Sequence, residues 1–454
     1  MAVDGKKMIP IESKDQLIKT LSKGCKPKSD WRIGTEHEKF IFDAKTHKRL
    51  PYEGTPGIRV LLESLQEYGW APVMEGENII ALTDNTGASV SLEPGGQFEL
   101  SGAPLETIHQ TCSETNRHLT QVKEICEKMG AVAVGMGFDP QWKRDDIIWM
   151  PKGRYKIMRE YMPKKGTMGI DMMIRTSTVQ VNLDFESEAD MVRKMRVAFA
   201  LQPIATALFA NSPFLEGKPN GYLSYRSHTW TDTDPDRCGM LDFIFEDGFG
   251  FERWVDYMLD VPMYFIYRDG VYNDVSGLSF RDYMDGNLKG WEGKMPVQQD
   301  WDDHLTTAFP EVRLKQFIEM RGADGGPWRN ICALPALWVG LLYDSQALNE
   351  AEALIKEWSV ADISRLRDDV PKLALKAEVA GRSVRDVARD VLAISKKGLS
   401  NRNKENWSGE SEEHFLAALE DVVEYGKTHA ERLLESYHGE WGEKIDPLYN
   451  EHAY

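Results

Sequence analysis

Four stretches of the chain alternate polar and apolar residues with a period of two, the repeat of a strand with one wet and one buried face. In Trp31–Phe42 the isoleucines, phenylalanines and threonine favour a strand, on which Glu36 and Glu38 share a face and His37 points away. Ser89–Ser101 reads as two short strands broken at Pro94-Gly95-Gly96, presenting Glu93, Gln97 and Glu99, the last two on one face. In Arg175–Phe185, Thr178, Gln180, Asn182 and Asp184 fall opposite Val179, Val181, Leu183 and Phe185. In Phe317–Asp324, Glu319 and Arg321 share a face opposite Ile318 and Met320. A two-layer domain can wet the outer face of any one such strand. Four polar faces carrying carboxylates, amides and a guanidinium together predict the floor of a charged cavity.

Elsewhere the apolar spacing is helical. It predicts helices at about 13–23, 57–69, 104–129 with Gly130 closing it, and 188–211, whose methionines read as core filling. From about 340 the chain becomes helical and charged, with 349–397 and 411–437 as helices. Neither a repeat nor a low-complexity linker divides it. The reading is one catalytic unit over 1–454: a sheet-based core at about 30–340 and a mainly helical extension at about 341–454.

Charge and composition exclude some classes. A net charge of −17 speaks against binding nucleic acid or anionic membrane. No run of 18 apolar residues exists, and Met1–Pro10 lacks the apolar core of a secretory signal, so a cytoplasmic enzyme is expected. The five cysteines show no zinc spacing. Cys112 and Cys126 lie too far apart on one helix to pair, and Cys25, Cys238 and Cys332 are scattered, so no disulfide is expected. Gly217-Lys218 is followed by Pro219, which excludes a P-loop, and Val134–Pro140 has too few glycines for a dinucleotide fingerprint.

Glu36 and Glu38 side by side repel unless a cation sits between them, and a hard divalent ion prefers oxygen ligands. The acidic cluster alone leaves open a divalent-metal hydrolase and a metal-stabilised binding protein.

Seven segments carry a more specific resemblance: Gly-Thr-Glu-His-Glu-Lys-Phe (34–40), Leu-Glu-Pro-Gly-Gly-Gln-Phe-Glu-Leu-Ser-Gly (92–102), Met-Pro-Lys-Gly-Arg-Tyr (150–155), Ser-Thr-Val-Gln-Val-Asn-Leu-Asp-Phe (177–185), Ala-Asn-Ser-Pro-Phe (210–214), Arg-Ser-His-Thr-Trp-Thr-Asp-Thr-Asp (226–234) and Ile-Glu-Met-Arg-Gly-Ala-Asp (318–324). In this order they resemble the plant-type glutamate–cysteine ligases, a branch that also occurs in bacteria, within the glutamine synthetase and guanido kinase superfamily. The resemblance implies an α+β fold, a curved antiparallel sheet funnel covered by helices. It implies ATP- and Mg²⁺-dependent joining of the glutamate γ-carboxylate to the cysteine amine, the first step toward glutathione. A ligase joining glutamate to another amine remains the nearest alternative.

The implied site assigns Glu36, Glu38, Glu93, Glu99 and Glu319 to Mg²⁺, and Arg321, with Asn182 and Gln180 beside it, to the transferring phosphate. Arg154, Arg226 and Tyr155 are assigned to the amino-acid substrates, since a guanidinium fork matches a carboxylate. Gln180 stands where a distant branch uses histidine as a metal ligand, which weakens any ligand role for it. Glutamate, cysteine and ATP are the implied partners, with glutathione a candidate feedback inhibitor. Plant members carry a regulatory cysteine pair in a β-hairpin, whereas Tyr264–Gln299 here has no cysteine. Little response of activity or oligomeric state to reductants is therefore expected.

Overall fold

The computed structural model describes residues 8–454. Residues 1–7, most of the segment read above for a signal, lie outside the described residues. The main sheet is antiparallel and has nine strands: β1 (Ile33–Asp43), β2 (Ala71–Glu75), β3 (Asn78–Thr83), β4 (Ser89–Leu92), β5 (Phe98–Ser101), β6 (Ala131–Val134), β7 (Thr178–Leu183), β8 (Val312–Leu314) and β9 (Ile318–Asp324). Its order is β8-β9-β7-β1-β5-β4-β3-β2, with β6 beside the far half of β1. The long strand β1 is the spine. Its first half pairs with β7 on one side and β5 on the other, and its second half pairs with β6.

Helices α1 (Ile58–Leu65), α2 (Ile108–Met129), α3 (Glu188–Leu208), α5 (Trp328–Leu342), α6 (Val360–Leu373) and α7 (Val384–Arg402) surround the sheet, and the short α4 (Tyr225–Thr229) brings Arg226 to its polar face. α2 begins with a reciprocal cap, Thr107 accepting from the Gln110 amide, and ends at Gly130 with φ 72°. One apolar cluster runs from Val179, Val181 and Leu183 of β7 through α3 and α5 into α7, so the C-terminal helices share a core with the sheet. A short hairpin at Glu378–Val379 and Arg382–Ser383 interrupts the stretch 349–397 that the sequence presents as helical. No single described helix is long and apolar enough to cross a membrane.

The cysteine reading is corrected. Cys112 of α2 and Cys332 of α5 form a disulfide across 220 residues, their Cα atoms 5.5 Å apart. The pairing is invisible in the sequence because it depends on α2 lying beside α5. The expected indifference to reductants thus loses one of its two grounds. Closing so long a loop restricts the unfolded chain, a term worth up to about 5 kcal/mol. Thermal melting with and without a phosphine reductant is expected to show a lower midpoint when reduced, and Cys112→Ser should melt at that lower midpoint in both conditions.

Candidate active site

Strand register assembles the site. Glu36 of β1 lies opposite Gln180 of β7 and Ser101 of β5, Glu38 lies opposite Glu99, and Glu319 of β9 lies opposite Asn182. Gly34 permits the close approach of β7, since a Cβ there would sit 3.3 Å from the Asn182 Cβ. The break at Pro94-Gly95-Gly96 is equally constrained: Gly96 has φ 79°, and a Cβ on Gly95 would fall 2.4 Å from the Ile174 carbonyl oxygen.

Above this floor is a cavity of about 230 Å³. Glu36, Glu38, Glu93, Glu99, Gln180, Arg154, Tyr155, Arg226 and Arg321 all line it. His37, fully buried, packs on the other face against His118, 5.7 Å between ring centroids. Asn182 stands at the margin and donates from Nδ2 to Glu36 Oε1 at 2.8 Å.

Glu319 is different. It is fully buried beneath the floor, bound through two hydrogen bonds by Arg313 (2.6 and 3.0 Å) and by Arg321 Nη1 at 3.0 Å. Burial alone would raise its pKa, but Arg313, Lys315 and Arg321 outweigh burial and hold the carboxyl well below the usual range. The structure therefore gives Glu319 to the arginines and leaves it outside the cavity lining, unlike the four other glutamates. Arg321 Nη1 also donates to Gln180 Oε1 at 2.7 Å. Arg226 Nη2 donates to the Arg321 carbonyl at 2.9 Å, which couples the two arginines. Behind Arg226, Asp324 accepts from the Ser212 and Ser224 hydroxyls at 2.6 and 2.7 Å.

The open-cavity carboxylates carry unneutralised repulsion. Burial, then Glu319 and Glu99, push Glu36 up to about 7. Burial, then Glu93 and Glu99, push Glu38 well above its ordinary value, and burial with Glu93 raises Glu99. Among the described residues no three His, Cys, Asp or Glu side chains converge as a closed metal cage. Arg154 Nε and Arg226 Nε are buried donors without a partner, the condition expected of groups awaiting an anion.

A pH test follows. Glu36 titrates higher in the folded protein than unfolded, so its contribution to stability is present below its unfolded pKa and lost as pH rises toward 7. Between about pH 5 and 8 the wild-type melting temperature should fall more steeply than that of Glu36→Gln, as measured by calorimetry in metal-free buffer.

Sequence reasoning missed three groups. Arg313 lies in Val-Arg-Leu, where one charged residue between two apolar ones was the only signal. Lys152, pushed down to about 8 by burial and Arg154, donates to the Leu92 carbonyl at 3.3 Å. An apolar wall, Met158, Met172, Met173, Tyr264, Phe265 and Phe309, comes from segments distant in the chain and meets Trp230, the aromatic residue of the polar loop 229–234.

The antiparallel sheet gathers four glutamates and several arginines around one cavity, and its fold is that of a solved ligase. A solved glutamate–cysteine ligase from Francisella tularensis, in complex with AMP, superposes with a TM-score of 0.57 at 12% identity, covering 92% of this chain and 87% of that one, a likeness of fold. The model of glutamate-cysteine ligase family 2 matches residues 32–451. Chloroplastic glutamate–cysteine ligases from Brassica juncea and Arabidopsis thaliana are 57% and 56% identical over 443 residues, covering 97% of this chain and 84% and 83% of theirs. One from Oryza sativa is 55% identical. The chain belongs to glutamate-cysteine ligase family 2. The cytoplasmic expectation is overturned by the same comparison, because these relatives are named chloroplastic. Composition does not encode a compartment.

Proposed function

We propose that this protein uses ATP to join the γ-carboxylate of glutamate to the amine of cysteine through a γ-glutamyl phosphate, the first step toward glutathione. The carrying observation is one cavity that combines four glutamates with Arg154, Arg226 and Arg321. The two charge types divide the work. Glu36, Glu38, Glu93 and Glu99 are the groups that would hold Mg²⁺, and Mg²⁺ when bound neutralises phosphate charge. Without cations these carboxylates would repel a triphosphate.

Arg321, held by Gln180 and Glu319, stabilises the phosphoryl group in transit from ATP to the γ-carboxylate oxygen. Asn182 orients Glu36. Glu319 keeps Arg313 and Arg321 in place, a positioning role rather than that of a metal ligand. Arg154 and Arg226 bind substrate carboxylates, with Tyr155 beside Arg154, whose guanidinium lies 5.5 Å from the ring centroid. The cysteine amine then attacks the acyl carbon; the C–N bond forms, the C–O bond to phosphate breaks, and the amine gives up a proton. Sheet and C-terminal helices act as one catalytic unit, resting on their shared core.

The test is phosphate release from Mg-ATP, with the product identified by mass spectrometry. Release should require glutamate, cysteine and Mg²⁺ together and yield the dipeptide. Release with glutamate and a different amine only, or hydrolysis of ATP without either amino acid, would overturn the reading.

A further inference from the structure

Two further spaces adjoin the main cavity. Arg226, Arg321, Trp230 and Phe309 line it and also line a second, smaller space bounded by Ser227, Gly239 and Glu311. That space is about 10 Å³, room for a single water. Trp230 and Gly239 in turn border a third space of about 300 Å³, with Thr231, Ser364 and Arg367 on its walls. Trp230 borders all three spaces, and its ring lies 5.8 Å from that of Phe309.

Three features make this a gated path for an anion. The indole Nε1 of Trp230 is buried with no hydrogen-bond partner, so no polar bond anchors the ring in its present seat. Gly239, at φ 91°, has nothing within 4 Å of where a Cβ would be, which leaves space beside the ring. The passage is also marked by arginines: Arg226 and Arg321 at its inner end and Arg367 in the outer space. Arg367 is 6% exposed; its Nε donates to Glu311 Oε1 at 2.8 Å and its Nη2 to the Ser227 carbonyl at 3.2 Å, while Nη1 is buried without a partner. Of the acidic groups, Glu311 is answered by Arg367 and buried Asp234 by Arg237 at 2.6 Å, while Asp368 lines the outer space at its exposed side.

We propose that this passage is a side exit for inorganic phosphate, with Trp230 and Phe309 as its gate and Arg367 as a transit site beyond it. The inference rests on the ligase reading. On that reading phosphate is freed beside Arg321, which borders both the main cavity and the smaller space. It is the smallest and most highly charged product for its size, and the arginines lead it outward. The 10 Å³ constriction does not admit phosphate, so the gate must open once per turnover.

The test plugs the outer space from two independent walls with Ser364→Trp and Thr231→Trp, neither residue being in the reaction cavity. In a single turnover of the full-length enzyme with Mg-ATP, glutamate and cysteine, dipeptide is followed by rapid quench and phosphate by a fluorescent phosphate-binding reporter. Wild-type phosphate should keep pace with dipeptide. In each plugged variant dipeptide should form at the wild-type rate while phosphate appears roughly threefold or more slowly. Circular dichroism and the melting midpoint establish that each variant is folded, and either one folded suffices. Phosphate keeping pace with dipeptide in a folded plugged variant would overturn the side exit and leave the ligase reading standing. A wild-type enzyme that makes neither dipeptide nor phosphate would overturn both.

Discussion

Glu36→Gln and Glu38→Gln should each lower turnover by about a hundredfold or more, because each removes a charge that the proposed Mg²⁺ needs in a site already short of neutralisation. Both variants should fold, since the amide keeps the shape and relieves repulsion from Glu99 and its neighbours. His37→Gln is the control. His37 sits between them in sequence but on the opposite face, so its loss should fall below tenfold in turnover and register instead in stability. The measurement is steady-state phosphate release at saturating substrates, with melting curves alongside. Equal losses of turnover in all three variants would remove the assignment of opposite faces.

The second large effect concerns the arginines. Arg321→Lys retains charge but cannot reach Gln180, Glu319 and a phosphate together, so turnover should drop by about 10²- to 10³-fold with modest change in Michaelis constants. Arg226→Lys should act the other way. Loss of the planar fork should raise the Michaelis constant for glutamate or cysteine about tenfold or more, with a smaller change in turnover. Michaelis constants for both amino acids unchanged in Arg226→Lys would take Arg226 out of substrate binding.

Much of the floor was legible because a strand's period of two is a local property. Glu36, Glu38, Gln180 and Thr178 could be placed on one face from their own neighbours. Burial partners are another matter. Nothing in Ile318–Asp324 says that Arg313 will reach across from the adjacent strand and claim Glu319, so a carboxylate on the correct face is legible while its engagement is not. The disulfide between Cys112 and Cys332 shares this limit, as does the apolar wall gathered from four separate regions of chain. The helices were legible to within a few residues where capping residues marked their ends, as at Thr107 and Gly130.

The placement of β1 at the centre of the sheet has a consequence for biosynthesis. Its neighbour β5 emerges some sixty residues after it, but β7 follows only near residue 180 and β9 near residue 320. While the chain is being made, Glu38 and Glu99 can therefore meet before Lys152 and Arg226, the cations that offset them, exist. Until β7 is made, the half-sheet carrying these acids has β1 as an unpaired edge. Such an edge invites association with other chains. The reaction centre is completed only when β9 joins β7, and chaperone dependence should centre on the interval between synthesis of β5 and synthesis of β7, while that edge of β1 is open.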